Sequence, residues 1–228
     1  MEIIIHSGED KFEYRKKYAK INQLYNYARK NTMFKKVIII NKPVIIAVSG
    51  VTASGKTTII NELNKKIKNS KSLHFDDYDF EGEVEDFHQW VVNGADYNVW
   101  NLEPLEKDIL KLKEDKKVKY IFLDYPFAYK NDLIKSFIDC AIFIDTPLDI
   151  AMARRVLRDM HDATGDEIRE DMSFYLKYAR IAYEEMLKTI LPNSDYVIDG
   201  SLQLDEIINN IIDILKVKYS FKMEEENS

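Results

Sequence analysis

Gly50-Val51-Thr52-Ala53-Ser54-Gly55-Lys56-Thr57 fits the pattern G-x-x-x-x-G-K-[ST], directly after the apolar run Val44–Ser49 and before a stretch of helical periodicity. Glycine at both ends lets the backbone curl and turn its N–H groups inward, where a side chain would intrude. A helix opening at Lys56 adds its unpaired amides and the positive end of its dipole. Together these make a cradle for the phosphates of a nucleoside triphosphate. Lys56 is the cation between the β- and γ-phosphoryl oxygens, and the Thr57 hydroxyl suits Mg²⁺. The run from Gly50 to Thr58 is the candidate nucleotide-contacting segment.

Working outward, Val44–Ser49 is an almost continuous apolar run, as expected of a strand covered on both faces. Lys56 to about Lys68 reads as a helix, and Ser72–Phe75 as a second strand ending at an acidic cluster. Residues 80–100 read as irregular and aromatic. Pro104 opens a helix to about Glu114. Strands follow at Lys119–Leu123 and Cys140–Ile144, and a helix at Leu148–Met160. A charged connection, His161–Arg169, leads to a long helix from about Glu170 to Ile190. Tyr196–Ile198 is the last strand, and Leu204–Val217 the last helix. Strands alternating with amphipathic helices predict an α/β fold of three layers, α/β/α, around a mostly parallel central sheet. Such a sheet collects its ligand beyond the carboxyl ends of its strands.

Upstream, residues 11–31 carry apolar positions three or four apart and read as a helix, with a short strand at Lys35–Ile40. The expected organisation is a basic helical extension over 1–42, a main domain over 43–222 and a frayed polar tail over 223–228. Within the main domain, 80–103 is an insertion for the acceptor and 159–170 a short lid. The tyrosine-rich stripe of the first helix would lie on the main domain or on a second copy of the chain, which leaves a homodimer open.

Asp124 closes the third strand, where a second magnesium-side carboxylate belongs; a strand-end turn before Pro126 is the competing reading. His74-Phe75-Asp76-Asp77-Tyr78-Asp79 follows the second strand. Those carboxylates would repel a polyphosphate unless metal or substrate intervenes, and transfer to a hydroxyl needs a group that positions it and takes its proton. Arg154 and Arg158 share a face of one helix while Arg155 points elsewhere, so the first pair suits the equatorial oxygens of a moving phosphoryl group. Arg169 could close over the same phosphates. Among the rings of residues 78–100, Tyr78, Trp90 and Tyr97 are candidates to stack on a planar acceptor, with packing of the insertion as the alternative. Asp96, Asn98 and the pair Asp199–Gly200 are further polar candidates, the last on the adenine side.

The chain has 228 residues, 46% hydrophobic and 32% charged, an ordinary globular balance. Its charge of −6 argues against a nucleic-acid partner, although residues 1–49 alone carry ten Lys/Arg against four Asp/Glu. Cys140 is the single cysteine, which excludes an intramolecular disulfide and points to a reducing, cytoplasmic setting. Apolar runs of strand length predict no membrane span. His6, His74, His88 and His161 lack zinc-ligand spacing.

These residues carry a resemblance to the uridine kinases and related nucleoside kinases among the P-loop phosphotransferases, over roughly residues 43–200. Asp76-Asp77-Tyr78 is similar to that group's acidic–aromatic segment, which holds the acceptor sugar; nicotinamide riboside kinases show a double aspartate before aromatics at the same place. Arg154-Arg155-Val156-Leu157-Arg158-Asp159 looks like the arginine-rich entry to its lid. The resemblance implies a P-loop kinase fold, ATP and Mg²⁺, a small-molecule acceptor, Asp76 as general base with Asp77 or Asp79 as the alternative, and Lys56, Arg154 and Arg158 as catalytic groups. It makes Asp77 and Tyr78 contacts of the acceptor sugar; Trp90, Tyr97 and Arg169 as substrate contacts, and Thr57 and Asp124 as the magnesium side, come from the residues themselves. Two departures bear on uridine itself. An aspartate stands at 124 where the group usually has glutamate, and Phe80–Trp100 does not reproduce its nucleoside-contact pattern. A nucleoside-monophosphate kinase is the nearest competitor, yet residues 76–100 contain no Lys or Arg for an extra phosphate. A non-catalytic ATP-binding regulator is the alternative from another class.

Overall fold

The computed structural model describes residues 42–82 and 84–219. The expected helix at 11–31, strand at 35–40 and tail at 223–228 lie outside the described residues. The main body runs to Ile211; beyond it, Ile212–Tyr219 are described only as the end of the last helix.

Five strands form one fully parallel sheet in the order β2-β3-β1-β4-β5. They are β1 (Val44–Ser49), β2 (Ser70–His74), β3 (Tyr120–Asp124), β4 (Cys140–Asp145) and β5 (Tyr196–Asp199). Every residue of β1 is buried, as its unbroken apolar run requires at the centre of a sheet covered on both faces. The chain passes from β1 to β2 on one side, and from β3 to β4 across β1. The order therefore reverses beside β1, and a crevice opens there beyond the strand ends.

The helices are α1 (Lys56–Lys66), α2 (Phe87–Val92), α3 (Glu103–Glu114), α4 (Leu148–Asp159), α5 (Gly165–Phe174), α6 (Arg180–Thr189) and α7 (Leu204–Tyr219), with α1 against β1, β2 and β3 and α3 against β2. One face of the sheet, with Ile45, Ala47, Ile121, Leu123, Ala141 and Phe143, forms a continuous core with Leu105 and Ile109 of α3 and with the aromatics of the 80–100 segment. Ile59, Ile60 and Leu63 of α1 are fully buried outside that core. Each such side chain contributes about 1.5–3 kcal/mol by leaving water.

Two stretches differ from the sequence expectation. The segment 80–100 is not wholly irregular: Asp86 caps α2 by accepting from the Gln89 N–H, and Tyr97–Val99 makes a 3-10 turn. The long helix starts at Gly165, earlier than the expected Glu170. Thr164 and Glu167 form a reciprocal capping box there, which satisfies the free amides of the first turn. That helix is also not uniform, since Tyr175–Ala179 is a π-helical turn joining α5 to α6.

Candidate functional site

The loop Gly50–Gly55 links β1 to α1 at the crevice. A Cβ on Gly50 would lie 2.7 Å from Ser54 Oγ and 2.8 Å from the Ile144 carbonyl, so only glycine fits this turn. Neighbours hold the loop from below. The Thr146 hydroxyl donates to the Ser54 carbonyl at 3.0 Å, and the Ser49 hydroxyl donates to the Tyr125 carbonyl at 2.8 Å. Lys56 Nζ donates back to the carbonyls of Gly50 (3.0 Å) and Val51 (3.1 Å). Burial lowers its pKa from the usual amine range; Asp124 and Asp76 oppose that shift, and Arg158 adds to it. The ammonium group thus stands among groups that respond to one another electrostatically.

Asp124 is brought against α1 by sheet register, since it pairs with Val48 of β1 on one side and His74 of β2 on the other. The Thr57 hydroxyl donates to Asp124 Oδ2 at 2.5 Å, and His74 Nδ1 lies 3.4 Å from the same oxygen. His74 also meets the Ser72 hydroxyl at 3.0 Å through Nε2. Among the described residues no group of three His, Cys, Asp or Glu side chains could hold a metal ion by itself. A hydroxyl and a carboxylate converging on one point do fit Mg²⁺, a hard cation that draws its remaining ligands from water and phosphate oxygens.

One cleft of ≈ 580 Å³ runs from this loop to the aromatic segment. It is lined at the phosphate end by Gly50, Thr52, Ala53, Gly55, Lys56, Thr57 and Thr58, with Asp124, Arg154 and Arg158 beside them. Val51 and Ser54 are buried behind this surface. Asp76 also lines the cleft. It sits on the 3-10 turn Phe75–Asp77, which is anchored because Phe75 packs against Phe80 (4.7 Å between ring centroids) and Phe127 (5.2 Å). Arg158 hydrogen-bonds Asp159, which favours its charged form most strongly; Asp76 and Tyr183 add to the effect. Arg154 reaches from α4 to the Gly200 carbonyl, 3.3 Å from both terminal nitrogens. Gly200 is thereby tied to Arg154, while Asp199 closes a polar turn by accepting from the Ser201 N–H at 2.8 Å.

At the far end stand Trp90, Tyr97, Trp100, Phe127, Phe87 and Phe174. Trp90 Nε1 donates to the Asp96 carbonyl at 2.9 Å, and the Tyr97 hydroxyl pairs with Thr189 Oγ1 at 2.8 Å. Burial raises the Tyr97 pKa to about 12. Those two polar tips therefore hold the wall together, leaving ring surface to the cleft.

Asp77, Tyr78 and Arg169 are not brought to the cleft. The Tyr78 ring stacks on Phe80 at 5.3 Å and its hydroxyl donates to Asp108 at 3.0 Å, so it braces the turn bearing Asp76. Asp77 and Asp79 are exposed to solvent. Arg169 lies within α5, exposed and paired with Asp166, rather than on a loop that closes. Arg155 is turned away from the cleft and pairs with Asp171 of α5.

The sequence reading missed one wall altogether. Ala179, Ala182, Tyr183 and Met186 line the cleft from α6 and the turn before it. Their spacing of three and four was visible, but nothing in the sequence marked that face as facing a ligand rather than the core. His74, set aside as unassigned, is the neighbour of Asp124.

No family model matches the chain. The chain is 26% identical to a uridine kinase of Borrelia duttonii over 199 residues, covering 75% of this chain and 94% of the relative. It is 24% identical to uridine-cytidine kinase B of Dictyostelium discoideum over 209 residues, covering 79% and 86%. Among solved structures, the M. mycoides deoxyadenosine kinase with bound dATP aligns over 76% of this chain and 99% of that chain, at 19% identity and a TM-score of 0.41. A structure described as a possible uridine kinase from Bacillus stearothermophilus aligns over 79% and 100%, at 16% and 0.43. The sequence thus resembles the uridine kinases over most of its length.

Proposed function

We propose that this protein is a kinase that moves the γ-phosphoryl group of ATP to a hydroxyl of a nucleoside or similarly sized metabolite. One observation carries the reading: the phosphate cradle and Asp76 line one continuous cleft, whose other end is a ring-lined recess. The curated relatives named uridine kinase support the same class.

In this reading the loop Gly50–Thr58 grips the triphosphate and Lys56 exchanges its carbonyl contacts for phosphate oxygens. Thr57 and Asp124 would hold Mg²⁺, which supplies charge neutralisation on the phosphates when bound. Asp76 orients the acceptor hydroxyl and takes its proton as the oxygen–phosphorus bond forms. The bond from the γ-phosphorus to the bridging oxygen breaks, and ADP leaves with that oxygen. Arg158 and Arg154 face the equatorial oxygens as charge shifts onto them. Trp90 and Tyr97 belong to the acceptor recess.

The test is a coupled ADP-release screen across nucleosides, ribosides and small hydroxylated metabolites. We expect Lys56→Ala to abolish turnover, whereas normal rates in that variant would remove the phosphate-loop mechanism. Asp76→Asn should leave ATP affinity within about threefold while transfer falls on the order of 10²- to 10⁴-fold, the range of a lost general base. If Asp77→Asn has that effect instead, the assignment of the base moves.

With no intramolecular disulfide open to its single cysteine, the chain suits a reducing cytoplasm, which fractionation would check. No helix among the described residues is long and apolar enough to cross a membrane. A homodimer through the stripe at 11–31 is a further proposal, which sedimentation would decide.

A further inference from the structure

The acceptor end of the cleft is unusually poor in free hydrogen-bonding side chains. Beyond Asp76 its lining includes Phe87, Trp90, Trp100, Phe127, Met186 and Tyr183. The Trp90 N–H is committed to Asp96 and the Tyr97 hydroxyl to Thr189. Tyr183 is half-buried on α6 and lines the cleft, and its hydroxyl makes no hydrogen bond among the described residues. Among the described residues, Lys56, Arg154 and Arg158, placed with the phosphate loop, are the only Lys, Arg, His, Asn or Gln side chains lining the cleft. A uracil ring presents three consecutive polar groups on its edge: a carbonyl, an N–H and a second carbonyl. A buried polar group left without a partner is penalised, and a site discriminates strongly against a ligand whose groups it cannot pair.

We propose that the acceptor carries an aromatic ring with few polar edge groups, gripped by the Trp90–Trp100–Phe127 wall and offered a single polar contact by Tyr183. This rests on reading the cleft as a kinase site with its acceptor in the ring-lined recess. Asp76 serves the hydroxyl that reacts and Tyr183 meets the ring, both from the lining of the one cleft.

The deciding experiment compares uridine with ribosylbenzene, two acceptors that share a ribose and differ in ring edge. Initial rates with Mg-ATP and calorimetric binding to the full chain are both measured. We expect ribosylbenzene to exceed uridine at least tenfold in kcat/KM and in affinity. A preference below threefold, or one that favours uridine, overturns the inference. Tyr183→Phe should widen the ratio at least threefold by removing the polar contact uridine can use, and an unchanged ratio removes Tyr183 from the assignment. Trp90→Leu, with its fold checked by circular dichroism, should lower ribosylbenzene affinity at least tenfold. Tight ribosylbenzene binding without transfer to any acceptor would keep the ring-binding role of the recess and sink the kinase reading on which the acceptor role rests. Transfer to some other acceptor, with no ribosylbenzene binding, would do the reverse.

Discussion

Asp124 is the side chain on which the phosphate end turns, and it is almost fully buried. A carboxylate in that position needs compensation, which the Thr57 hydroxyl and the neighbouring His74 ring provide. Replacing it by asparagine keeps the volume and removes the charge that would face Mg²⁺. Asp124→Asn should therefore lower turnover on the order of 10²-fold, the scale of losing one preorganised charge-stabilising group. It should also raise the magnesium concentration needed for half-maximal ADP release. A magnesium titration checks this, and an unchanged midpoint would reduce Asp124 to a strand-end packing residue. The motif made Thr57 and the strand position made Asp124 legible. His74 was not legible, because its role follows from register across the sheet and no local pattern announces it.

At the scale of elements, the ring-lined recess depends on how the 80–100 segment is pinned to the rest of the domain. Asn131 carries much of that pinning. It is buried, its amide donates to the Tyr97 carbonyl at 2.9 Å and more weakly to that of Trp100, and its Oδ1 accepts from the Leu133 N–H at 3.1 Å. Asn131→Ala leaves buried backbone carbonyls unpaired, at a cost of about 1–3 kcal/mol. Its effect should concentrate on the acceptor, with KM for the acceptor raised about tenfold or more and KM for ATP within about twofold. Steady-state kinetics with each substrate varied would show the split; equal rises would mean that the segment does not serve the acceptor alone. The early start of α5 belongs to this scale as well. Thr164 and Glu167 spell a capping box that could have been read from the sequence, whereas the π-helical turn after α5 had no such signal. Arg169 was expected on a lid and sits inside a helix for that reason.

For the molecule as a whole, burial pushes up the pKa of Tyr78, Tyr97, Tyr120, Tyr125, Tyr129, Tyr175 and Tyr196. Each raised pKa means that the folded state holds its proton more firmly than the unfolded chain, whose tyrosines ionise near pH ~10. The resulting stability is fully present below that value and is lost as pH climbs through and above it. Thermal melts should therefore be flat in this respect up to about pH 9 and fall steeply beyond about pH 10. Tyr97, near 12, contributes across that interval, and Tyr97→Phe should lessen the alkaline fall. A variant with the same alkaline slope as the parent would show that the Tyr97 hydroxyl titrates alike in the folded and unfolded states, and would remove its share of the effect.

By itself the sequence determined the phosphate loop, the strand before it and the helix after it, since chain-neighbouring residues dictate that curl of backbone. It also determined the alternation that yields a parallel sheet, because apolar runs of strand length and amphipathic spacing are local properties. Only the tertiary structure decided which side chains share the cleft. Tyr78, adjacent to Asp77 in the chain, is drawn out by Asp108 from a helix further along. Tyr183 lies 107 residues from Asp76 and enters because α6 packs against the aromatic segment. Such placements depend on contacts between distant segments, and those form only when the whole core closes.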